Sequence, residues 1–242
     1  DDRFASDLDS ILGSIDCGSE LSAIILASTD EDDSFRNVLL THRYKKLYAA
    51  IGVHPSEACK VNNGYIKSLE ALCCDEKVVA IGEIGLEYHY DDAPRDVQKK
   101  IFEQQLCLAE KVGLPVVIHD REAHADCLDA VLHHNVTGVF HSYSGSKETA
   151  KILLSYGWYM SFGGIVTFKN AHKVREAAAY IPADRLLVET DCPYLAPEPY
   201  QGKRCDSFMI RRTLEVLAEI RNTTFEELEA TTERNARTLF RI

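Results

Sequence analysis

The 242-residue sequence predicts an α/β fold on a parallel sheet, closed as one (β/α)8 TIM barrel over residues 1–242. Three observations carry this. Short apolar runs alternate with amphipathic helical stretches. No linker, low-complexity segment or long charge block divides the chain. Polar residues recur where the apolar runs end. Alternation of strand and helix implies a parallel sheet whose strands are buried on both faces, and the length suits one barrel domain. A doubly wound open sheet is the alternative.

The chain opens on "FASDLDSILGSI", read as an amphipathic helix with Phe4, Leu8, Ile11, Leu12 and Ile15 on one side. "SAIILAS" (22–28) reads as a buried strand, followed by a helix near 31–43. Strands over 47–54 and 77–84 are followed by helices near 63–74 and 94–112. In the latter, Ile101, Gln105, Leu108 and Val112 keep helical spacing, and Pro94 suits a first turn. Strands over 115–120, 138–143 and 159–164 are followed by helices near 122–134, 146–156 and 170–180. "RLLVETD" (185–191) precedes helices near 207–221 and 224–240, where Thr224 and Glu227 have capping-box spacing. These are seven strands, each followed by a helix. A closed barrel needs eight, so the sequence begins on the helix of a first unit whose strand is missing.

Net charge is −11. An acidic surface argues against a broad grip on duplex DNA, but leaves room for a small site made locally positive by metal ions. The eight cysteines are scattered without C-x-x-C, as in reduced cytosolic proteins, and give no zinc-thiolate spacing. No apolar run approaches the ~20 residues that span a membrane, and no signal peptide is read at the start. The expectation is a cytoplasmic monomer.

A barrel places catalytic residues at the C-terminal ends of its strands. His54, Glu83, His119, His141 and Asp191 each end an apolar run, so the barrel would gather them at one rim. Each has an ordinary reading alone: a hydrogen-bonded loop histidine, a helix-capping aspartate, a buried ion-pair partner. Together, His, Glu and Asp suit Zn²⁺, Mn²⁺ or Mg²⁺. A carboxylate has two oxygens and can bridge two cations, and two metals roughly 3.5–4 Å apart can activate water and stabilise a leaving phosphodiester oxygen. Glu83 is the bridging candidate, with His119 and His141 on one metal and Asp191 on the other. Asp191 and Glu83 alone are too few ligands, which points again to the missing strand.

The segments "GVHP" (52–55), "GEIGLEY" (82–88), "PVVIHDR" (115–121), "HSYSGS" (141–146) and "ETDCPYLAPEPYQGKR" (189–204) resemble, in order, the motifs of the TatD family of metal-dependent deoxyribonucleases. The resemblance runs to the closing "TTERNARTLFRI" and looks most like the bacterial cytosolic branch. It implies a barrel of the metal-dependent hydrolase superfamily that cleaves DNA phosphodiesters with two divalent metals, often as a 3′-5′ exonuclease acting on DNA ends. It implies Glu83 as the bridging glutamate, His119 and His141 as ligands of one metal, and Asp191 as ligand of the other. The family's opening strand ends in an H-x-H pair absent here, so the first metal site is incomplete without it. Glu87 replaces the usual aspartate of G-L-D and is expected behind the ligands, orienting one of them or its water. "KRCDS" replaces the usual "KRNEP".

Further residues complete the expected site. His54 is expected to touch substrate or water rather than metal. Asp191 is the candidate for orienting or deprotonating water. Arg121 could pair with a phosphate. Tyr143 and Ser144 precede a helix whose N–H groups could face an anion. Lys203 and Arg204 could hold a nucleic-acid backbone, and Tyr88 and His89 could stack on a base. Trp158 reads as core, while Tyr65, His133 and His134 carry no functional signal. Two other readings stay open: a small-molecule amidohydrolase or phosphoesterase on the same barrel, and a metal-deficient, non-catalytic relative.

Overall fold

A computed structural model describes residues 1–18, 20–90 and 92–242. They form two compact units, Asp7–Gly138 and Val139–Ile242 with Asp1–Ser6. The α/β class is as the sequence predicts, with seven strands among the described residues.

In the first unit the order is α1 (Leu8–Asp16), β1 (Ile24–Ala27), α2 (Glu31–Arg43), β2 (Leu47–Ile51), α3 (Tyr65–Leu72), β3 (Val78–Glu87), α4 (Arg95–Val112), β4 (Val116–Arg121) and α5 (His124–Leu132). Strands β1 to β4 pair in chain order, all parallel. Leu12 and Ile15 of α1 are buried with Leu47, and Leu8, Ile11 and Leu26 pack around them. Phe4 does not join that helical face. Asp1 caps a separate 3-10 turn over Asp2–Phe4, and the helix starts only at Leu8.

Two strands differ from expectation. β1 is half-buried rather than buried, with Ala27 exposed. It pairs with β2 on one side, and its apolar residues do not report how well the other side is covered. β3 runs three residues past the expected end, because pairing continues through Ile84↔Ile118, Gly85↔His119, Leu86↔Asp120 and Glu87↔Arg121. Glu83 therefore lies inside β3, with Ile84 and Leu86 buried beyond it. Gly85 makes this pairing possible: its φ is +147°, and a Cβ there would lie 2.0 Å from the His119 carbonyl oxygen.

Helix α4 joins the strands through two side chains. Gln98 and Gln105 are both buried, and their seven-residue spacing puts them on one face two turns apart. Gln98 accepts from the Glu87 N–H at 2.8 Å and donates to the Glu87 and Ala93 carbonyls at 2.9 Å. Gln105 accepts from the Val53 N–H at 2.7 Å and donates to the Val53 carbonyl at 3.0 Å. The helix ends at Gly113, left-handed at φ +69°. Pro94 sits just before its first residue.

The second unit carries β5 (Gly138–Phe140, its first residue closing the first unit), α6 (Lys147–Ser155), β6 (Tyr159–Phe162), α7 (His172–Tyr180), β7 (Leu186–Val188), α8 (Ile210–Arg221) and α9 (Phe225–Phe240). β5, β6 and β7 pair in parallel. Trp158 is core, edge-on to Phe140. The expected helix at 207 begins as a 3-10 turn, Ser207–Met209, capped by Asp206. The capping box of α9 is present. Buried Asn235 of α9 donates to the carbonyls of Ala183 and Leu186, at 2.7 and 2.8 Å, holding the entry to β7. Among the described residues no helix is long and apolar enough to cross a membrane.

Candidate metal centres

The expected site residues fall into one cluster in each unit. In the first, β3 supplies Glu83 and Glu87, β4 supplies His119, and the segment after β2 supplies His54. Glu83 Oε1 lies 2.7 Å from His119 Nδ1 and 3.7 Å from His54 Nε2. The two imidazoles meet edge-on, centroids 4.4 Å apart. The remaining ring nitrogen of His119, Nε2, faces Glu87 Oε2 at 3.2 Å. A cation taken up between Nδ1 and Glu83 would leave Nε2–H to donate to Glu87, the arrangement that fixes a metal-bound imidazole.

Glu87 is itself held. Its Oε1 accepts the N–H groups of His89 and Tyr90, at 2.7 and 3.1 Å. Burial pushes its carboxyl pKa up, but the hydrogen bonds from His119, His89 and Tyr90 outweigh that and hold it below the ordinary value. At His54 the Ser56 N–H donates to Nδ1 at 3.2 Å. The Ser56 hydroxyl lies 2.8 Å from the same nitrogen, so Ser56 holds the ring and leaves Nε2 turned toward Glu83.

In the second cluster His141 follows β5, and Glu189 and Asp191 follow β7. His141 Nδ1 lies 3.5 Å from Glu189 Oε1 and 3.7 Å from Asp191 Oδ1. Ser142, in the left-handed region at φ 44°, serves both carboxylates. Its N–H donates to Glu189, and its hydroxyl donates to Asp191 Oδ2 at 3.1 Å.

Both donor sets fit a divalent cation. His54, Glu83 and His119 offer two imidazoles and a carboxylate; His141, Glu189 and Asp191 offer one imidazole and two carboxylates. Within each set the ligand atoms lie within 4.8 Å of one another, close to the span one ion bridges at ~2.0–2.2 Å per bond. All six side chains are mostly buried, between 14 % and 20 % exposed, where carboxylates without compensation are costly. Glu189 is the functional candidate that strand-end reading passed over. It stands two residues before Asp191, and alternate residues of an extended segment share a side. That spacing was the available signal.

The other expected residues are dispersed. Arg121 ends β4 and is exposed. Tyr143 is buried, its hydroxyl donating to the Ser146 carbonyl at 2.7 Å. Ser144 is half-buried, and Ser146 rather than Ser144 caps α6. Lys203 is exposed, with Nζ 5.8 Å from the Tyr200 ring. Arg204 donates to the Arg3 carbonyl at 2.8 Å and covers the Phe4 ring. The Tyr88 hydroxyl donates to Asp126 at 2.6 Å with Arg95 over its ring, and His89 pairs with Glu122 at 2.7 Å.

The profile of the family described as TatD related DNase matches residues 1–241. A Bacillus subtilis protein named uncharacterized metal-dependent hydrolase YabD is 41 % identical over 226 residues, covering 92 % of this chain and 89 % of its own. YcfH of Escherichia coli K12, named in the same words, is 42 % identical over 195 residues, covering 79 % of this chain and 72 % of its own. The crystal structure of YjjV, a TatD homolog from Escherichia coli K12, superposes with a TM-score of 0.92 at 30 % identity, over 99 % of this chain and 93 % of that one.

Proposed function

This chain belongs to the TatD-related DNase family, and we propose that it is a divalent-metal-dependent hydrolase that cleaves DNA phosphodiesters, acting from single-stranded 3′ ends. The observation that carries this reading is the pair of histidine–carboxylate clusters, each with its donor atoms within 4.8 Å of one another. Glu83 and His119, with His54 beside them, would hold one ion, and His141, Glu189 and Asp191 a second. Mg²⁺, Mn²⁺ and Zn²⁺ all suit such donors. Bound there, divalent cations would supply an activated water and offset the charge on a phosphoryl group.

The chain's own groups do the positioning. Glu87, fixed by two backbone N–H groups, orients His119. Ser142 keeps Glu189 and Asp191 turned toward His141. Asp191 is the group assigned to orient water and take its proton. Exposed Arg121 and Lys203 are assigned to the phosphate backbone, and the protein is taken to act as a cytoplasmic monomer. The net charge of −11 favours a substrate gripped locally over a long duplex.

The test incubates protein loaded separately with Mg²⁺, Mn²⁺ or Zn²⁺ with end-labelled single-stranded DNA, a model phosphodiester and acyl-amide substrates. Shortening from the 3′ end, lost in both Glu83→Ala and His119→Ala, is the expected result. Either variant keeping most of its activity overturns the site assignment. Amide cleavage without DNA cleavage replaces the nuclease with an amidohydrolase. No turnover together with no bound metal by elemental analysis replaces it with a non-catalytic binding protein.

A further inference from the structure

A second kind of metal-capable cluster lies elsewhere in the first unit. Glu103 and Cys107 stand one turn apart on α4, and His134 follows α5. Their ligand atoms lie within 4.8 Å of one another. His134 Nε2 is 2.9 Å from Glu103 Oε1, and its side chain is only 8 % exposed. On the other ring nitrogen, Glu110 Oε2 faces Nδ1 at 3.2 Å, while Glu110 Oε1 accepts the Asn135 N–H at 3.2 Å. Glu110 is thus fixed by the backbone on one oxygen and turned to the imidazole with the other. A carboxylate on Nδ1–H leaves the Nε2 lone pair free for a metal, aimed toward Glu103 and Cys107.

We propose that Glu103, Cys107 and His134 form a metal site of borderline-soft character, suited to Zn²⁺, with Glu110 orienting the histidine. Three protein ligands of nitrogen, sulfur and oxygen type select Zn²⁺ over Mg²⁺ or Ca²⁺, which take oxygen. Binding releases the Cys107 proton to solvent, since the thiolate is the ligand. Burial and the charges of Glu103 and Glu110 push the free thiol pKa up.

The position assigns the site a structural role. α4 lies between β3 and β4; Glu103 stands at its middle, and Cys107 and Glu110 lie in its second half. His134 lies in the connection from α5 to β5. Both belong to the N-terminal ends of the strands, opposite the end carrying His54 and Glu87. In such folds that end serves stability. A metal there ties the second half of α4 to the loop entering β5.

Cobalt(II) reports the site directly, because thiolate ligation gives a charge-transfer band in the near ultraviolet that histidine and carboxylate ligands do not. The full-length protein in excess Mg²⁺ is titrated with Co²⁺, alongside Cys107→Ser and Glu110→Gln. Cys107 is exposed, so its replacement leaves the fold intact. The expected result is a band saturating with one ion in the parent, lost in Cys107→Ser, and needing roughly 10–100-fold more Co²⁺ in Glu110→Gln. Absence of the band from the parent, or its survival in Cys107→Ser, overturns the proposal. Neither result depends on whether the protein cleaves DNA.

Discussion

Replacing Gln105 with leucine removes a side chain that acts as a strand partner for Val53. Both side-chain hydrogen bonds go to the Val53 backbone, and both residues are buried. Leucine keeps nearly the same volume but leaves a buried N–H and a buried C=O without partners. Each such group costs about 1–3 kcal/mol, so the pair costs about 4 kcal/mol at mid-range. Extra apolar burial returns about 2 kcal/mol, leaving a net loss of about 2 kcal/mol. With a urea slope of about 3 kcal/mol/M, the unfolding midpoint drops by about 0.7 M. Far-UV circular dichroism is the suitable probe, because the single tryptophan, Trp158, lies in the other unit. Gln104→Leu is the control. It removes one hydrogen-bond partner, that of the Tyr65 hydroxyl at 2.7 Å, and its gross cost is expected at about 1–2 kcal/mol, below the two-group cost at Gln105. A Gln105→Leu midpoint within about 0.2 M of the parent would refute the backbone-clamp reasoning. Because His54 follows Val53 directly, the same variant is expected to weaken metal binding by the first cluster, read by isothermal titration.

Thr213→Val should stabilise the protein by about 1 kcal/mol, since the Thr213 hydroxyl is buried without a hydrogen-bond partner among the described residues; a lower melting temperature would contradict this. Burial pushes the Asp75 pKa up, but hydrogen bonds from the Lys77 N–H and from His42 more than offset it and hold the carboxyl below its ordinary value. A depressed carboxyl stabilises the fold above the unfolded pKa of about 3.9 and loses that contribution as pH falls through the folded value. Asp75→Asn should therefore melt below the parent at neutral pH and converge with it in acid; a gap that persists below about pH 3 would count against the assignment.

His54, Glu83, His119, His141 and Asp191 are visible in the sequence because they end or break apolar runs. Glu83 between Gly82 and Ile84, and His119 after Val116–Ile118, are costly places for such side chains unless something offsets them. Local spacing also gave the α9 capping box. It did not give the length of β3, because Glu83 looks like an end when the pairing of Ile84 to Glu87 with β4 is unknown. The half-exposed β1 was hidden for the same reason: a strand's composition records its own propensity, while its burial depends on neighbours. Glu189 was passed over by taking one residue per strand end, where alternation pairs it with Asp191. His134 was invisible, since Glu103, Cys107 and Glu110 share a helix face legibly but their meeting with the α5–β5 connection is a tertiary contact.

Asn235 gives the second cluster a place in time. The strand leading to Glu189 and Asp191 takes its entry hydrogen bonds from α9, which follows it in the chain. During synthesis the residues through His119 leave the ribosome well before Asn235 does, by seconds or more at ~5–20 residues per second. The first histidine–carboxylate group can therefore organise while the chain is still growing. The second waits for α9, the helix that carries Asn235.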